Sequence, residues 1–289
     1  MGLNWKRKDR EGSILCREGA VPYLYFPMLE ETGMVSHGFS TRLGGVSSGC
    51  YASMNLRINS EDSRDNVIEN FRRIAEAIGF DEKKLVLTHQ THTTNIRVVT
   101  EGDAGKGLFQ ERDYSDIDGL VTNVPGLTLA TFYADCVPLY FVDPVRKAIG
   151  LSHSGWRGTV NRMGACTIRK MQQEYGSDPK DILACVGPSI CGDCYEVSED
   201  VAAAFWQAFP RWKEQILKLG QAEGKFWLNL WKTNELILKE AGILPEHLSV
   251  TNICTKCNPD FLYSHRVMGS RRGNLAAFLG LREICASDY

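Results

Sequence analysis

The chain has 289 residues, of which 43% are hydrophobic and 24% charged, and its formal net charge is −2 at pH 7. This composition is typical of a globular enzyme, and the near-neutral charge argues against a general attraction to nucleic acid or anionic membranes. No segment approaches the roughly 20 apolar residues that span a bilayer, and the basic N-terminus lacks the apolar core of a signal peptide. We therefore expect a cytoplasmic protein with no membrane, nucleic-acid or obligate protein partner.

The first part of the chain combines short apolar segments with a glycine-rich loop. Apolar pieces within residues 1–30 predict peripheral edge strands. The segment HGFSTRLGGVSSGC then predicts a strand up to Ser40, followed by a tight loop in which Gly44 and Gly45 permit positive φ. Arg42 is a candidate for binding an anion at this loop, although a surface turn with a solvated arginine is the simpler interpretation.

Residues 63–100 predict a helix and a pair of strands. Apolar residues recur at helical spacing from Val67 to Ile78, and Gly79 supplies a C-terminal stop. Residues 85–100 predict two strands with His89 and His92 between them. Because side chains alternate along a strand with a period of two, a spacing of three does not put both histidines on one face. We therefore expect one histidine at a functional site and the other facing away or in a turn.

The segment 116–158 contains two apolar runs, and each ends in chemically reactive side chains. The run LTLATFY leads to Asp135 and Cys136, and KAIGLSHSGWRG carries His153 and Arg157. Both runs predict buried strands. The pattern after Gly158 predicts a helix up to Gly176, and the free N–H groups at its start would favour an anionic ligand.

The remaining elements are mixed in type. The pattern predicts strands at residues 182–186 and 249–253, helices at 201–209 and 228–241, and a strand or helix at 274–281. Strands and helices without strict alternation indicate a single mixed domain of the α/β or α+β class.

Two of the cysteine pairs have the two-residue gap of structural zinc sites. They are Cys191/Cys194 and Cys254/Cys257. Their separation of about 60 residues exceeds the ~15–20 residues of a compact zinc ribbon. Independent loop thiols are therefore the simpler interpretation, and two zinc atoms per chain would contradict it.

His92, Cys136 and His153 form a possible functional set at strand ends. Two histidines and a cysteine with an open fourth position are the ligands of a catalytic zinc. The same residues could supply a Cys–His nucleophilic pair, or each could be a buried packing residue. Their spacing in the sequence leaves the three alternatives open.

A set of short motifs, in a constant order from residue 37 to 266, resembles the YfiH/YlmD family. Members of that family are also called laccase-domain or multi-copper polyphenol oxidoreductase proteins, and purine nucleoside phosphorylases. The resemblance implies one mixed-sheet sandwich with flanking helices over residues 1–289. The matching motifs are HGFSTRLGG, SMNL, QTH, DGLVT, ADCVP, HSGWRG, GPSICGDCYEV and CTKCNPDFLYSHR.

The resemblance also implies a metal and an activity. The ligands would be His92, Cys136 and His153, holding zinc, with copper as a possible alternative metal. The implied reactions are phosphorolysis of adenosine, inosine and S-methyl-5′-thioadenosine by phosphate, and deamination of adenosine. A copper-dependent polyphenol oxidase and a Cys–His hydrolase are the alternative activities.

Further roles are assigned by chemistry and by the matching motifs. Asp118 and Asp135 are candidate proton shuttles, since a carboxylate close to a zinc site can serve a departing group, although Asp135 could instead orient a ligand. The candidates for contact with the substrate or phosphate are Arg42, Asn55, Arg157 and Arg266. The match is incomplete after Arg266, where Val267 and Met268 stand in place of the family's Arg-Asp.

Overall fold

The computed structural model describes residues 2–8 and 14–283. Single turns of 3-10 helix lie at Gly49–Tyr51, Glu82–Lys84, Glu101–Asp103 and Pro245–His247. The helices and strands are β1 Leu15–Arg17, β2 Tyr23–Tyr25, α1 Pro27–Glu30, β3 Val35–Ser40, α2 Arg64–Ile78, β4 Leu85–Leu87, β5 Ile96–Val98, β6 Gly119–Thr122, β7 Thr128–Tyr133, β8 Val137–Asp143, β9 Ala148–Ser154, α3 Trp156–Val160, α4 Met163–Tyr175, β10 Leu183–Val186, β11 Glu196–Ser198, α5 Glu199–Ala208, α6 Lys213–Ile216, β12 Leu217–Leu219, β13 Lys225–Leu228, α7 Leu230–Glu240, β14 Leu248–Val250, α8 His265–Met268 and β15 Leu275–Leu281.

Two six-stranded mixed sheets form the framework. The strand order in the first sheet is β1-β2-β3-β15-β7-β4, and in the second it is β14-β10-β8-β9-β6-β5. A three-stranded sheet, β11-β13-β12, lies apart from them. Most pairs are antiparallel, but β4 with β7, β5 with β6, and β10 with β14 are parallel. The predicted mixed α/β sandwich is confirmed.

The core between the sheets is built by alternation along the strands. Leu129 and Leu279 of the first sheet and Val142 and Leu151 of the second are buried in one apolar cluster. Because side chains alternate across a strand, the neighbours of these residues face outwards and need a second covering layer. That requirement explains why the central strands are apolar on both faces.

Helices cover both outer faces of the sandwich. On the first sheet, Phe71 and Ile74 of α2 pack with Phe278 of β15. On the second sheet, α4 packs over β9 and α7 over β10, with Ile168 in the same cluster as Phe141. The predicted helix at residues 63–78 is confirmed, and Gly79 ends it with φ of 89°. No helix among residues 2–8 and 14–283 has the length and apolar character needed to cross a membrane.

Several local predictions need correction. The strands at residues 85–100 are present, but β4 and β5 belong to different sheets. The helix after Gly158 is interrupted, because α3 ends at Val160 and Arg162 has φ of 59° before α4 begins. Strand β8 was not predicted from the sequence, because Pro138 near its start is unusual in a central strand. It also missed the small third sheet, whose strands are three or four residues long.

Candidate metal centre and its cavities

The three predicted ligands meet where the chain passes between the two large sheets. His92 follows β4 of the first sheet, His153 is part of β9 in the second, and Cys136 lies in the short connection from β7 to β8. One nitrogen of each histidine and the Cys136 sulfur all lie within 4.8 Å of one another. The structure therefore brings together residues that are 44 and 17 positions apart in the sequence.

A buried carboxylate positions the two histidines. Asp118 accepts a 2.7 Å hydrogen bond from Nδ1 of His153 and hydrogen bonds from the backbone N–H groups of Thr91, His92 and Thr93. His92 has a φ of 67°, which is unusual for a residue with a side chain, and these backbone bonds hold it there. Because Nδ1 of His153 is engaged, its Nε2 is the nitrogen left to face the sulfur.

The electrostatics favour a thiolate at the centre. Burial alone would raise the pKa of Cys136, but the imidazoles of His153 and His92 outweigh it and lower that pKa to about 6. Burial likewise opposes protonation of His153, yet the Cys136 thiolate and the Asp118 carboxylate raise its pKa to about 9. Asp118 itself is fully buried, and the His153 ring and backbone N–H groups still hold its pKa below the ordinary value. These shifts favour a Cys136 thiolate paired with a protonated or metal-bound His153 ring.

Gly155 leaves the space that the ligands occupy. A Cβ atom at this position would lie 3.0 Å from Cδ2 of His92 and 3.1 Å from the Cys136 sulfur. Both distances are shorter than ordinary carbon contacts. The glycine of the HSGWRG motif is therefore required by close approach of the side chains, since its own φ of −69° is open to any residue.

Two cavities meet at the metal-ligand cluster. The first, of about 330 Å³, is lined by polar and cationic side chains that include Arg57, Arg112 and Gln90. The second, of about 350 Å³, has an aromatic and aliphatic wall formed by Trp156, Tyr195 and other residues. Four residues border both cavities: His92, Ala134, Cys136 and Arg272. A ligand in either cavity would reach the same centre.

Arg272 is the principal site residue that the sequence reasoning missed. Its Nη1 donates to the backbone O of Gly273 at 3.0 Å, while its buried Nε has no hydrogen-bond partner among the described residues. Burial lowers the pKa of this guanidinium, so a neighbouring anion would be favourable. The segment SRRG that contains it carries no motif, and only the packing of β15 against β7 brings it to the cluster.

Two of the residues predicted to contact the substrate make hydrogen bonds within the protein and line neither cavity at the cluster. The guanidinium of Arg42 donates to the carbonyl groups of Ala52 and Pro259 at 2.8–3.0 Å, and it lines neither cavity at the cluster. The fully buried amide of Asn55 donates to Asp62 and accepts from the backbone N–H of Arg57. Neither the solvated-arginine interpretation nor the anion-binding one fits Arg42, since both were based on the loop sequence without its partners.

The other predicted residues lie in the aromatic cavity. Arg157 is exposed and stacks over the Trp156 ring at 4.3 Å, and Arg266 lies over Tyr195 at 5.2 Å. Asp135 also lines this cavity, where its carboxylate accepts the Thr255 hydroxyl at 2.6 Å and the backbone N–H of Arg266 at 2.7 Å. His89, the second histidine of the pair, was expected to face away or to lie in a turn. It lines the cationic cavity and accepts the backbone N–H of Asp116 at 3.2 Å.

The prediction of independent loop thiols is wrong. The sulfurs of Cys191, Cys194, Cys254 and Cys257 all lie within 4.8 Å of one another. Their loops follow β10 and β14, which are adjacent parallel strands, so both chain segments leave the sheet side by side. A long separation in sequence therefore becomes a short one in space.

Fold and site together define a class: a mixed α/β sandwich with a His₂Cys cluster at the junction of its sheets. A family model described as multi-copper polyphenol oxidoreductase laccase matches residues 36–282, and the chain belongs to this family.

Individual relatives agree with that assignment. The chain is 36% identical over 250 residues to purine nucleoside phosphorylase YlmD of Bacillus subtilis, covering 85% of this chain and 88% of the relative. It is 31% identical over 237 residues to adenosine deaminase RL5 from an unknown prokaryotic organism, covering 81% and 90%. The crystal structure of hypothetical protein YfiH from Bacillus licheniformis superposes with a TM-score of 0.86 at 33% identity, covering 92% and 99%.

Proposed function

We propose that the chain, acting as one catalytic domain, is a zinc-dependent purine nucleoside enzyme. Its reactions would be phosphorolysis of adenosine, inosine and S-methyl-5′-thioadenosine, and deamination of adenosine. The observation that carries this proposal is the convergence of His92, Cys136 and His153 at the meeting point of a cationic and an aromatic cavity. The names of the relatives supply the substrate class.

The three side chains fit a zinc ion by their chemistry. A thiolate and two imidazoles are preferred zinc ligands, and a carboxylate hydrogen bond to the second nitrogen of a ligating histidine is the usual support, here from Asp118 to His153. Zinc bound there would polarise a substrate oxygen or lower the pKa of a bound water. The space beside Gly155 matches the need for three donors in close approach.

Phosphorolysis needs two substrates side by side, and the two cavities supply two compartments. Phosphate would bind in the cationic cavity, where Arg57, Arg112 and Arg272 offer guanidinium groups, because planar guanidinium groups match phosphate oxygens. The purine would bind in the aromatic cavity against Trp156 and Tyr195, with C1′ of the ribose at the shared border.

Phosphorolysis breaks the bond between C1′ of the ribose and N9 of the purine, and the arginines of the two cavities would assist that step. A phosphate oxygen forms a bond to C1′ as the C1′–N9 bond breaks, and the electron pair leaves with the purine, which takes up a proton. Arg272 would stabilise the phosphate beside the developing charge. Arg157 and Arg266, at the aromatic cavity, would contact the polar edge of the base or its ribose.

Asp135 is the better placed of the two predicted proton shuttles. It lines the aromatic cavity, whereas Asp118 is fully buried and lines neither cavity at the cluster. In deamination, water adds to C6 of the purine and ammonia leaves with a proton that Asp135 would carry. Asp118 would position His153.

The Cys–His hydrolase alternative has a specific observation in its favour. Cys136, His153 and Asp118 have the order of a nucleophile, a base and an orienting acid. A nucleophilic cysteine needs only one imidazole, however, and His92 brings a second ring to within 5.0 Å of the His153 ring centroid. The second ring favours metal binding. Copper-dependent oxidation of phenols, the activity in the family description, would place copper on the same three side chains, and the metal that activity requires distinguishes it from the zinc reactions.

The test is to incubate the purified protein with adenosine, with and without phosphate, and to separate the products. Adenine with ribose 1-phosphate, formed only with phosphate, supports phosphorolysis, and inosine supports deamination. Cys136→Ala and His153→Ala should abolish turnover and release zinc together. Retained zinc with lost turnover in Cys136→Ala would favour a nucleophilic cysteine. The absence of every product, or phenol oxidation that requires copper, would overturn the proposal.

A further inference from the structure

The four clustered cysteines lie outside the catalytic cluster, and we propose that they bind a second, structural zinc ion. All four sulfurs lie within 4.8 Å of one another, and those of Cys194 and Cys257 are 3.5 Å apart. Tetrahedral zinc with Zn–S bonds of ~2.3 Å requires sulfur separations of roughly 3.8 Å. Small adjustments of the side chains would therefore close the site around the ion.

The backbone around the sulfurs has the form of two facing turns. In the first pair, the N–H of Cys194 donates to the carbonyl of Cys191 at 3.0 Å. The N–H of Cys191 in turn donates to the sulfur of Cys254 at 3.3 Å, so the loops are linked directly at a proposed ligand. Hydrogen bonds from N–H groups to sulfur stabilise metal-bound thiolates. The geometry thus supports a thiolate ligand at Cys254.

The charge and burial of the cluster also suit a metal. Zinc with four thiolates carries a net charge of about −2, and the ammonium of Lys8, which pairs with Asp193 at 3.1 Å, lies where it would offset part of that charge. Cys191 and Cys254 are at most 2% exposed to solvent. Four sulfurs this close together in the described part of the chain would either bind a metal ion or form disulfides.

The proposed ion would be structural because four protein ligands leave no open position. It would fasten the loop after β10 to the loop after β14, and both loops reach the catalytic centre. Tyr195, next to Cys194, forms part of the aromatic cavity, and Thr255, next to Cys254, donates to the carboxylate of Asp135. Zinc at the four cysteines would therefore hold the wall against which the purine is proposed to bind.

Metal counting tests the proposal without reference to activity. Protein purified with zinc in the medium should contain two zinc atoms per chain by elemental analysis. The double variant Cys194→Ser/Cys257→Ser should contain one, and His92→Ala/Cys136→Ala should also contain one. Cys166→Ser, the same substitution on the partly exposed surface of α4, should still contain two. A zinc content that does not fall in Cys194→Ser/Cys257→Ser would overturn the proposal.

A second measurement does not depend on the folding of the cysteine variants. X-ray absorption of the zinc remaining in His92→Ala/Cys136→Ala should show four sulfur neighbours at ~2.3 Å. Nitrogen neighbours there, iron in place of zinc, or disulfides between the cysteine pairs in the mass spectrum of the unreduced protein would each contradict the assignment. Because the four-sulfur signal is independent of turnover, failure of the proposed enzyme activity would leave it intact.

Discussion

The carboxylate of Asp118 holds His153 by a 2.7 Å hydrogen bond to Nδ1 and also accepts the backbone N–H of His92 with the same oxygen. One buried group thus positions a ligand from each of the two sheets. Since both of its oxygens are occupied by donors, Asp118 acts on the chemistry through the histidines.

Asp118→Asn should therefore weaken metal binding. The amide can accept fewer of these hydrogen bonds, and support groups of this kind contribute 10–100-fold to metal affinity or activity. We expect zinc affinity, measured by competition with a chelator, to fall by that factor. Asp116→Asn, at an exposed carboxylate two residues away, is the matched control. Unchanged zinc affinity with lost deamination would restore Asp118 as a proton shuttle.

Gly155→Ala should damage the site while leaving the fold stable. The added methyl would press on His92 and Cys136 at 3.0 and 3.1 Å, but the backbone conformation accepts alanine. We expect zinc content and turnover to fall by at least tenfold with little change in Tm. Gly158→Ala is the control, since its Cβ would meet its nearest neighbour, the His153 carbonyl, at 3.4 Å. Equal losses in both variants would show that the effect is not local.

Local patterns in the sequence predicted the parts of the fold that depend on neighbouring residues. Helix α2 has its apolar face and its glycine stop within one segment, so periodicity identified it. The choice between His89 and His92 could not be made from spacing, because it depends on the turn that Asp118 imposes on residues 91–93. The three candidate metal ligands were grouped by their positions at strand ends, and the family motifs then favoured the metal-binding interpretation.

The missed features of the site depend on contacts between distant segments. Arg272 reaches the cluster only because β15 inserts between β3 and β7. The four cysteines meet because β10 and β14 are parallel neighbours. Arg42 was assigned to an anion because its carbonyl partner Pro259 lies 217 positions away. Partners at such separations leave no pattern in one segment of the chain.

Arg272→Lys should impair the use of phosphate. Lysine keeps the charge but loses the planar fork that pairs with phosphate oxygens, and Arg272 borders both cavities. We expect kcat/KM for phosphate to fall by tenfold or more, while deamination of adenosine changes less. Arg271→Lys, at the exposed neighbouring arginine, should behave like the unaltered protein. A loss confined to the nucleoside KM would place the anion elsewhere.

Arg42→Lys should affect stability and spare phosphate binding. The guanidinium donates to Ala52 with two nitrogens and to Pro259 with a third, and lysine cannot span these carbonyls. Lysine can keep a charged hydrogen bond to one carbonyl and loses the bond to the other. Because one such bond contributes about 1.5–3 kcal/mol, we expect the free energy of unfolding to fall by about 2 kcal/mol in urea titrations. A raised phosphate KM at unchanged stability would revive the anion-binding role.

His37 should make stability depend on pH below neutrality. The ring is 6% exposed and accepts the backbone N–H of Phe26 at Nε2, and burial, with a contribution from Arg282, lowers its pKa to about 4. The unfolded chain binds a proton at the ordinary pKa of about 6.5. The contribution of neutral His37 to the free energy of unfolding is therefore fully present above pH 6.5. It is lost as the pH falls towards 4, a difference of about 3 kcal/mol.

His37→Gln, which retains an acceptor, should remove this part of the pH dependence in urea titrations between pH 7 and 4. His247→Gln, at a partly exposed histidine, should retain it, and an unchanged slope in His37→Gln would assign the loss to other groups.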